Sequence, residues 1–273
     1  MNNSKISTSL LETQPGLILT ILFVVLTVVW FGGFGLHIWS PDIFAHVYFV
    51  VPLFGSVMGF IASKLWGGHK SALGSSILAF SIGLFLQFFG QVYYSAYYIL
   101  VHDTTPYPSI GDIGYFGSIF FYIFAVYKLA QASGSRYSLK DLSYKIIALF
   151  LPFVLLAISY FLFIDGNPLD TSNTIKLILD LGYPLGQSFY ISLALLALIL
   201  SAKYLGGKLK TSVLIILLGL VLQYVADFTF LYQSSRGIWA PGEINDFVYH
   251  SAYFVLSLGV ISFYKTYREI SGK

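Results

Sequence analysis

Long apolar runs alternate with short polar breaks along the chain, and the runs fall at residues 17–39, 43–66, 72–100, 112–130, 143–163, 174–201, 211–232 and 246–264. A helix needs about 20 mostly apolar residues to cross the hydrocarbon of a bilayer. The runs are continuous rather than alternating, which excludes barrel strands of about 10 residues. Backbone groups inside a bilayer must bond to one another, so such runs cross as helices. The pattern predicts an all-α integral membrane protein with eight transmembrane helices.

Composition agrees: 57% of residues are hydrophobic and 10% charged, with mean hydropathy +0.78, against about 25% charged in soluble domains. The connecting segments are too short to build a soluble core. With no cysteine, disulfides, thiolate metal sites and cysteine nucleophiles are excluded. No small-residue cleavage pattern follows the first run, so it reads as a retained helix rather than a removed signal peptide.

Placing the N-terminus in the cytoplasm puts 13 of the 15 Lys and Arg residues on the cytoplasmic side, leaving Lys176 and Arg236 elsewhere. That bias is the positive-inside pattern, and it predicts both termini inside. The expected location is the cytoplasmic membrane, multi-pass, with the lipid bilayer as a partner. The pI near 8.8 then reflects membrane anchors, and no nucleic-acid partner is expected.

The runs also repeat. Gly83-Leu-Phe-Leu-Gln87, Gln91 and Asp112-Ile-Gly-Tyr115 recur as Gly219-Leu-Val-Leu-Gln223, Asp227 and Asp246-Phe-Val-Tyr249. Lys64-Leu-Trp-Gly67-Gly68 recurs as Lys203-Tyr-Leu-Gly206-Gly207, and Asp42 falls where Asp180 falls. The expectation is two parallel four-helix repeats, residues 17–132 and 143–267, related by an axis along the membrane normal. A leader (1–16), a basic cytoplasmic linker (133–142) and a short cytoplasmic tail (268–273) complete the division.

Candidate chemistry lies in the polar residues of these runs. Asp42, Asp112, Asp180 and Asp246 each stand near the outer end of an even-numbered run, where a carboxylate caps free N–H groups. Tyr115, Tyr183 and Tyr249 follow three residues on and share the aspartate's helix face. Gln87 with Gln91, and Gln223 with Asp227, pair at i, i+4 on the third and seventh runs. Asp227 lies about 16 residues, roughly 24 Å, from the cytoplasmic end of its run at 1.5 Å per residue. A carboxylate at such depth costs about 2.5–3.5 kcal/mol on insertion scales and needs a partner or a proton. His250 reaches a similar depth. The expected ligand-binding set is therefore Asp227, Gln91, Gln87, Gln223, His250, Asp246, Tyr249, Asp180, Tyr183, Gln187, Asp112 and Tyr115, with Asp227, His250 and Asp246 forming one outward-facing pocket. A satisfied structural network that fixes helix packing is the competing reading.

Two backbone features accompany these residues. Pro52 predicts a kink in the second run. Gly32, Gly33 and Gly35 in the first run, and the Gly55-x-x-x-Gly59 pair in the second, offer small surfaces for close packing within the chain.

Other chemistry finds little support. No lysine lies deep enough for a retinal Schiff base. The five histidines lack the paired spacing of a metal enzyme, and Ser118, Ser188 and Ser192 lack a nucleophile elbow. No catalytic residue, metal or cofactor is expected.

Tyr107-Pro-Ser109-Ile-Gly-Asp112-Ile-Gly-Tyr115, with Asp180-Leu-Gly-Tyr183-Pro and Asp246-Phe-Val-Tyr249, resembles the multi-helix membrane input region of prokaryotic signalling proteins. In that family a Pro-Ser-x-x-Asp-x-x-Tyr segment precedes diguanylate cyclase or histidine kinase output domains. Only nine residues follow Tyr264, so the expectation is an input module without an output domain. The resemblance implies a ligand- or state-sensing module. As a stand-alone sensor the chain is expected to signal to a cytoplasmic or membrane partner through the basic loop near Arg136 and Lys140. A small transporter or channel for a small solute or ion is the alternative, since duplicated bundles with polar groups and kinked helices are transporter features.

Overall fold

The computed structural model describes residues 10–102, 105–132, 142–161, 171–204 and 209–272. The start of the expected leader, the linker with Arg136 and Lys140, and the Gly206-Gly207 marker lie outside the described residues. Among the described residues the chain is helical, with no strand. The helices are α1 (Gln14–Trp30), α2 (Asp42–Ala45), α3 (Val50–Leu65), α4 (Ala72–Val101), α5 (Gly111–Ala132), α6 (Leu142–Ser159), α7 (Thr174–Tyr204), α8 (Lys210–Ser235) and α9 (Ile244–Ser271).

Among the described residues, six segments are long and apolar enough to cross a membrane: Gln14–Gly35, Asp42–Leu65, Ala72–Val101, Gly111–Ala132, Lys210–Ser234 and Ile244–Ser271. The distribution of polarity agrees with a bilayer as solvent. On α1, Leu17, Ile21, Val24 and Val28 are between 51% and 62% exposed, while Ser56, Ser76, Gln223 and His250 elsewhere in the bundle are wholly buried. Water would favour the reverse.

Six helices close into a ring in the order α3, α4, α5, α7, α8, α9, with α9 returning to α3. α1 lies outside the ring against α9 and, more lightly, α3; α6 lies outside it against α7. At the α3–α9 seam a side chain on Gly55 would run into Ser257, and one on Gly59 into Ser81 of α4 and Val260 of α9. The glycine pair thus serves packing within the chain.

The structure corrects the expected runs in several places. The first run does not stay helical to Trp39. α1 passes into a wide turn at Phe31–Gly35, and Trp39 folds back so that its Nε1–H donates to the Val29 carbonyl at 2.9 Å. Gly32 and Gly33 make room for the indole rather than for another helix. The second run is broken between α2 and α3. Helix α9 runs through Ser271, four residues into the expected tail.

Candidate functional site

The break between α2 and α3 starts from Pro52. Without an N–H, Pro52 cannot bond the carbonyl of Tyr48 four residues earlier; the Val51 N–H takes that carbonyl instead at 3.1 Å. The Ala45 carbonyl, at the end of α2, accepts from Gln91 Nε2 on α4 at 2.8 Å. The irregular turn presents Tyr48 to the inside of the ring, where it is buried.

Around Tyr48 four helices share one set of hydrogen bonds. Gln91 Oε1 accepts from Tyr115 on α5 at 2.8 Å and from Tyr48 at 3.2 Å. The Tyr48 hydroxyl also lies 3.4 Å from Asp246 Oδ1 on α9. Asp246 Oδ2 accepts from the Gly242 N–H at 2.6 Å, so the carboxylate holds the start of its own helix. Gly242 has φ +79° and lies against the Pro41 backbone, leaving no space for a side chain.

A second set surrounds Asp227 on α8. Tyr249 on α9 and Gln223 Nε2 donate to its Oδ1 at 2.9 and 3.0 Å, and Tyr190 on α7 donates to its Oδ2 at 3.2 Å. Among the described residues no Lys, Arg or His pairs with it; the ion pairs are Lys176–Asp180 and Lys265–Glu269. Between the two sets, Gln87 accepts from Tyr253 at 2.8 Å and donates to Ser118 at 2.8 Å. Tyr253 lies beside both Tyr48 and Tyr249, with ring centroids 6.1 and 5.9 Å apart, and Tyr122 meets Tyr190 edge-on at 6.1 Å. Aromatic rings therefore fill the ring of helices.

Nearer the helix ends, Tyr183 on α7 donates to Asp112 Oδ1 on α5 at 2.8 Å, while Asp112 Oδ2 accepts from the Ser109 N–H at 2.7 Å. Asp112 and Asp246 thus act as helix-start acceptors, as their positions predicted. Asp180 does not: six residues inside α7, it pairs with Lys176 at 2.7 Å and accepts from Tyr107 at 2.8 Å. Tyr107 is 45% exposed, yet its partial burial, followed by the bond to Asp180, raises its pKa well above the ordinary value. Asp42 Oδ2 accepts from Tyr98 at 3.3 Å.

The bonds recur across the chain. Tyr48 to Asp246 joins the α2–α3 turn to α9, and Tyr183 to Asp112 joins α7 to α5. Tyr115 to Gln91 joins α5 to α4, and Tyr249 to Asp227 joins α9 to α8. Each residue of the first half has its partner 134 to 136 positions later.

Of the expected residues, Asp227, Gln223 and Tyr249 meet in one set, and Asp246, Gln91 and Tyr115 in the other. Gln87 stands between the sets, and Asp112, Tyr183 and Asp180 lie at the helix ends. His250 does not join the carboxylates. Its ring stacks on Phe23 of α1 at 4.7 Å, with Nε2 3.3 Å from the Phe23 carbonyl, because one residue beyond Tyr249 turns its side chain by about 100° around α9. Gln187 is buried on α7 without a hydrogen bond to either carboxylate. Sequence reasoning missed Tyr48, Tyr190 and Tyr253. Tyr48 had a signal: aligning it with Tyr183, rather than Asp42 with Asp180, pairs two tyrosines 135 positions apart.

The arrangement is suited to binding or switching. Its carboxylates face neutral donors, and a change in their charge or partners must rearrange bonds across several helices. Comparisons of the chain with protein-family models, with curated proteins and with solved structures give no match.

Proposed function

We propose that the chain is a stand-alone membrane sensor, a receptor-like module that binds a small ligand or ion at the Asp227 set and transmits occupancy through the seams between two like-oriented halves. In this reading α6 and α7 are the fifth and sixth of eight crossings, both termini are cytoplasmic, and the membrane is the cytoplasmic one. The lysine and arginine distribution supports the orientation, and the recurrent tyrosine bonds support the duplication. The sequence resemblance to prokaryotic input regions supports the sensing role, with a signalling partner at the basic linker.

One observation carries the proposal. At matching positions, the first half has the neutral Gln91 and the second has Asp227, each receiving a tyrosine proton from the next helix. Packing alone is satisfied by the amide. An ionisable group kept inside hydrocarbon at a cost of about 2.5–3.5 kcal/mol is a functional group by default.

The test is a ligand screen on the purified protein, reading thermal unfolding alongside flux in proteoliposomes. A sensor gives a saturable ligand effect on stability without flux, and Asp227→Asn abolishes it. Substrate uptake into the vesicles would instead establish the transporter reading. The broken α2–α3 segment beside Gln91 favours that alternative, whereas the buried Tyr48, Tyr122, Tyr190 and Tyr253 across the interior oppose it.

A further inference from the structure

Gln87 and Gln91 of the first half each use both ends of the carboxamide. Gln87 uses its oxygen on Tyr253 and its nitrogen on Ser118; Gln91 uses its oxygen on Tyr115 and Tyr48 and its nitrogen on Ala45. The second half is otherwise. Gln223, wholly buried, donates to Asp227 but its Oε1 has no partner. Turning the amide over would aim its oxygen at the carboxylate and orphan an N–H instead, so Asp227 fixes the orientation. The Tyr122 hydroxyl, 1% exposed as a residue, is also buried without a partner. Its ring meets that of Tyr190, which donates to Asp227, edge-on at 6.1 Å.

An orphaned oxygen beside a carboxylate calls for something positive or protic between them, since a buried polar atom without a partner is costly. Tyr190 and Tyr249 have donated their protons to Asp227 and keep lone pairs. The two unpartnered atoms at this point, Gln223 Oε1 and the Tyr122 hydroxyl, are both oxygen, and hard oxygen sets suit alkali and alkaline-earth cations rather than softer metals. Charge selects between those two groups. With one carboxylate and no paired cationic side chain among the described residues, a single positive charge neutralises the site, whereas a divalent ion would leave net charge in hydrocarbon. Among the described residues no three His, Asp or Glu side chains gather as a multivalent metal would require.

We propose that a monovalent metal cation binds between the Asp227 carboxylate, Gln223 Oε1 and the Tyr122 hydroxyl. This names the ligand class of the site proposed above and rests on that reading. The first half, with Gln91 in place of Asp227 and no unpartnered carboxamide oxygen, binds none.

The test follows thermal unfolding of the purified full chain at fixed pH and ionic strength while NaCl, LiCl or KCl replaces choline chloride. The expected result is saturable stabilisation by at least one of the three metal ions over choline, absent in Asp227→Asn. Tyr122→Phe keeps the ring and leaves no donor or acceptor stranded, so it folds without cation as the parent does and raises the half-saturating concentration about tenfold. Equal responses to choline and all three metal ions, or an unchanged Tyr122→Phe titration, would overturn the proposal. So would stabilisation by lowered pH alone, which assigns the site to a proton. Flux measured on the same vesicles separates the two readings: cation uptake removes the sensor while the site survives, and a saturable response to some other solute without a cation effect removes the site while the sensor survives.

Discussion

Tyr183 on α7 donates its hydroxyl proton to Asp112 on α5 at 2.8 Å, and the bond crosses the seam between the two expected repeats. Tyr183→Phe leaves that carboxylate oxygen without its donor and should cost about 1.5–3 kcal/mol, the range for hydrogen bonds to charged groups. Tyr48→Phe should cost less, since Gln91 keeps Tyr115 and Asp246 keeps Gly242. Thermal unfolding in detergent checks the order, and the double variant should be near additive if the seams are independent.

Exchanging the amide and the carboxylate should have opposite outcomes. Asp227→Gln restores the chemistry of the first half and should leave the protein folded, at or above parental stability. Gln91→Asp removes the donor to Ala45 and places a second carboxylate beside Tyr48, which already faces Asp246. It should destabilise by about 3 kcal/mol or more. The yield of monodisperse protein and the unfolding midpoint report the difference.

The α3–α9 seam depends on two absent side chains. Gly55→Leu and Gly59→Leu must displace Ser257, Ser81 or Val260, and overpacking of this kind costs about 1–3 kcal/mol. Val57→Leu, on the same helix but 48% exposed, should be neutral. Size-exclusion profiles after heating distinguish the three.

At the end of α7, Lys176→Met should change stability by less than about 1 kcal/mol, as partly exposed ion pairs do. The Tyr107 bond to Asp180 behaves differently with pH. The hydroxyl's pKa is raised in the folded state, so its contribution is complete below the ordinary tyrosine value of about 10 and is lost as pH climbs through the raised one. Tyr107→Phe should lower stability at neutral pH and lessen the fall above pH 10, measured by unfolding across an alkaline series.

Much of this fold was legible in the chain. Apolar runs located α4, α5 and α8 to within a few residues, and α9 except for its last two turns, because hydrocarbon tolerates few other patterns. The i, i+4 pairing of Gln223 and Asp227 located one hydrogen bond. The rest depends on contacts that periodicity does not encode. Trp39 leaves the helix because two glycines form a slot for it, and His250 turns to Phe23 because α1 lies outside the ring. Tyr190 enters the Asp227 set from a helix whose neighbours no linear pattern specifies.

The interrupted backbone beside Pro52 has a mechanical corollary. One carbonyl there is capped by an amide borrowed from α4, so sliding α4 past α3 by even a fraction of a helical turn strands that oxygen in oil. Relative displacement of the two rods is thereby forced into jumps between discrete registers.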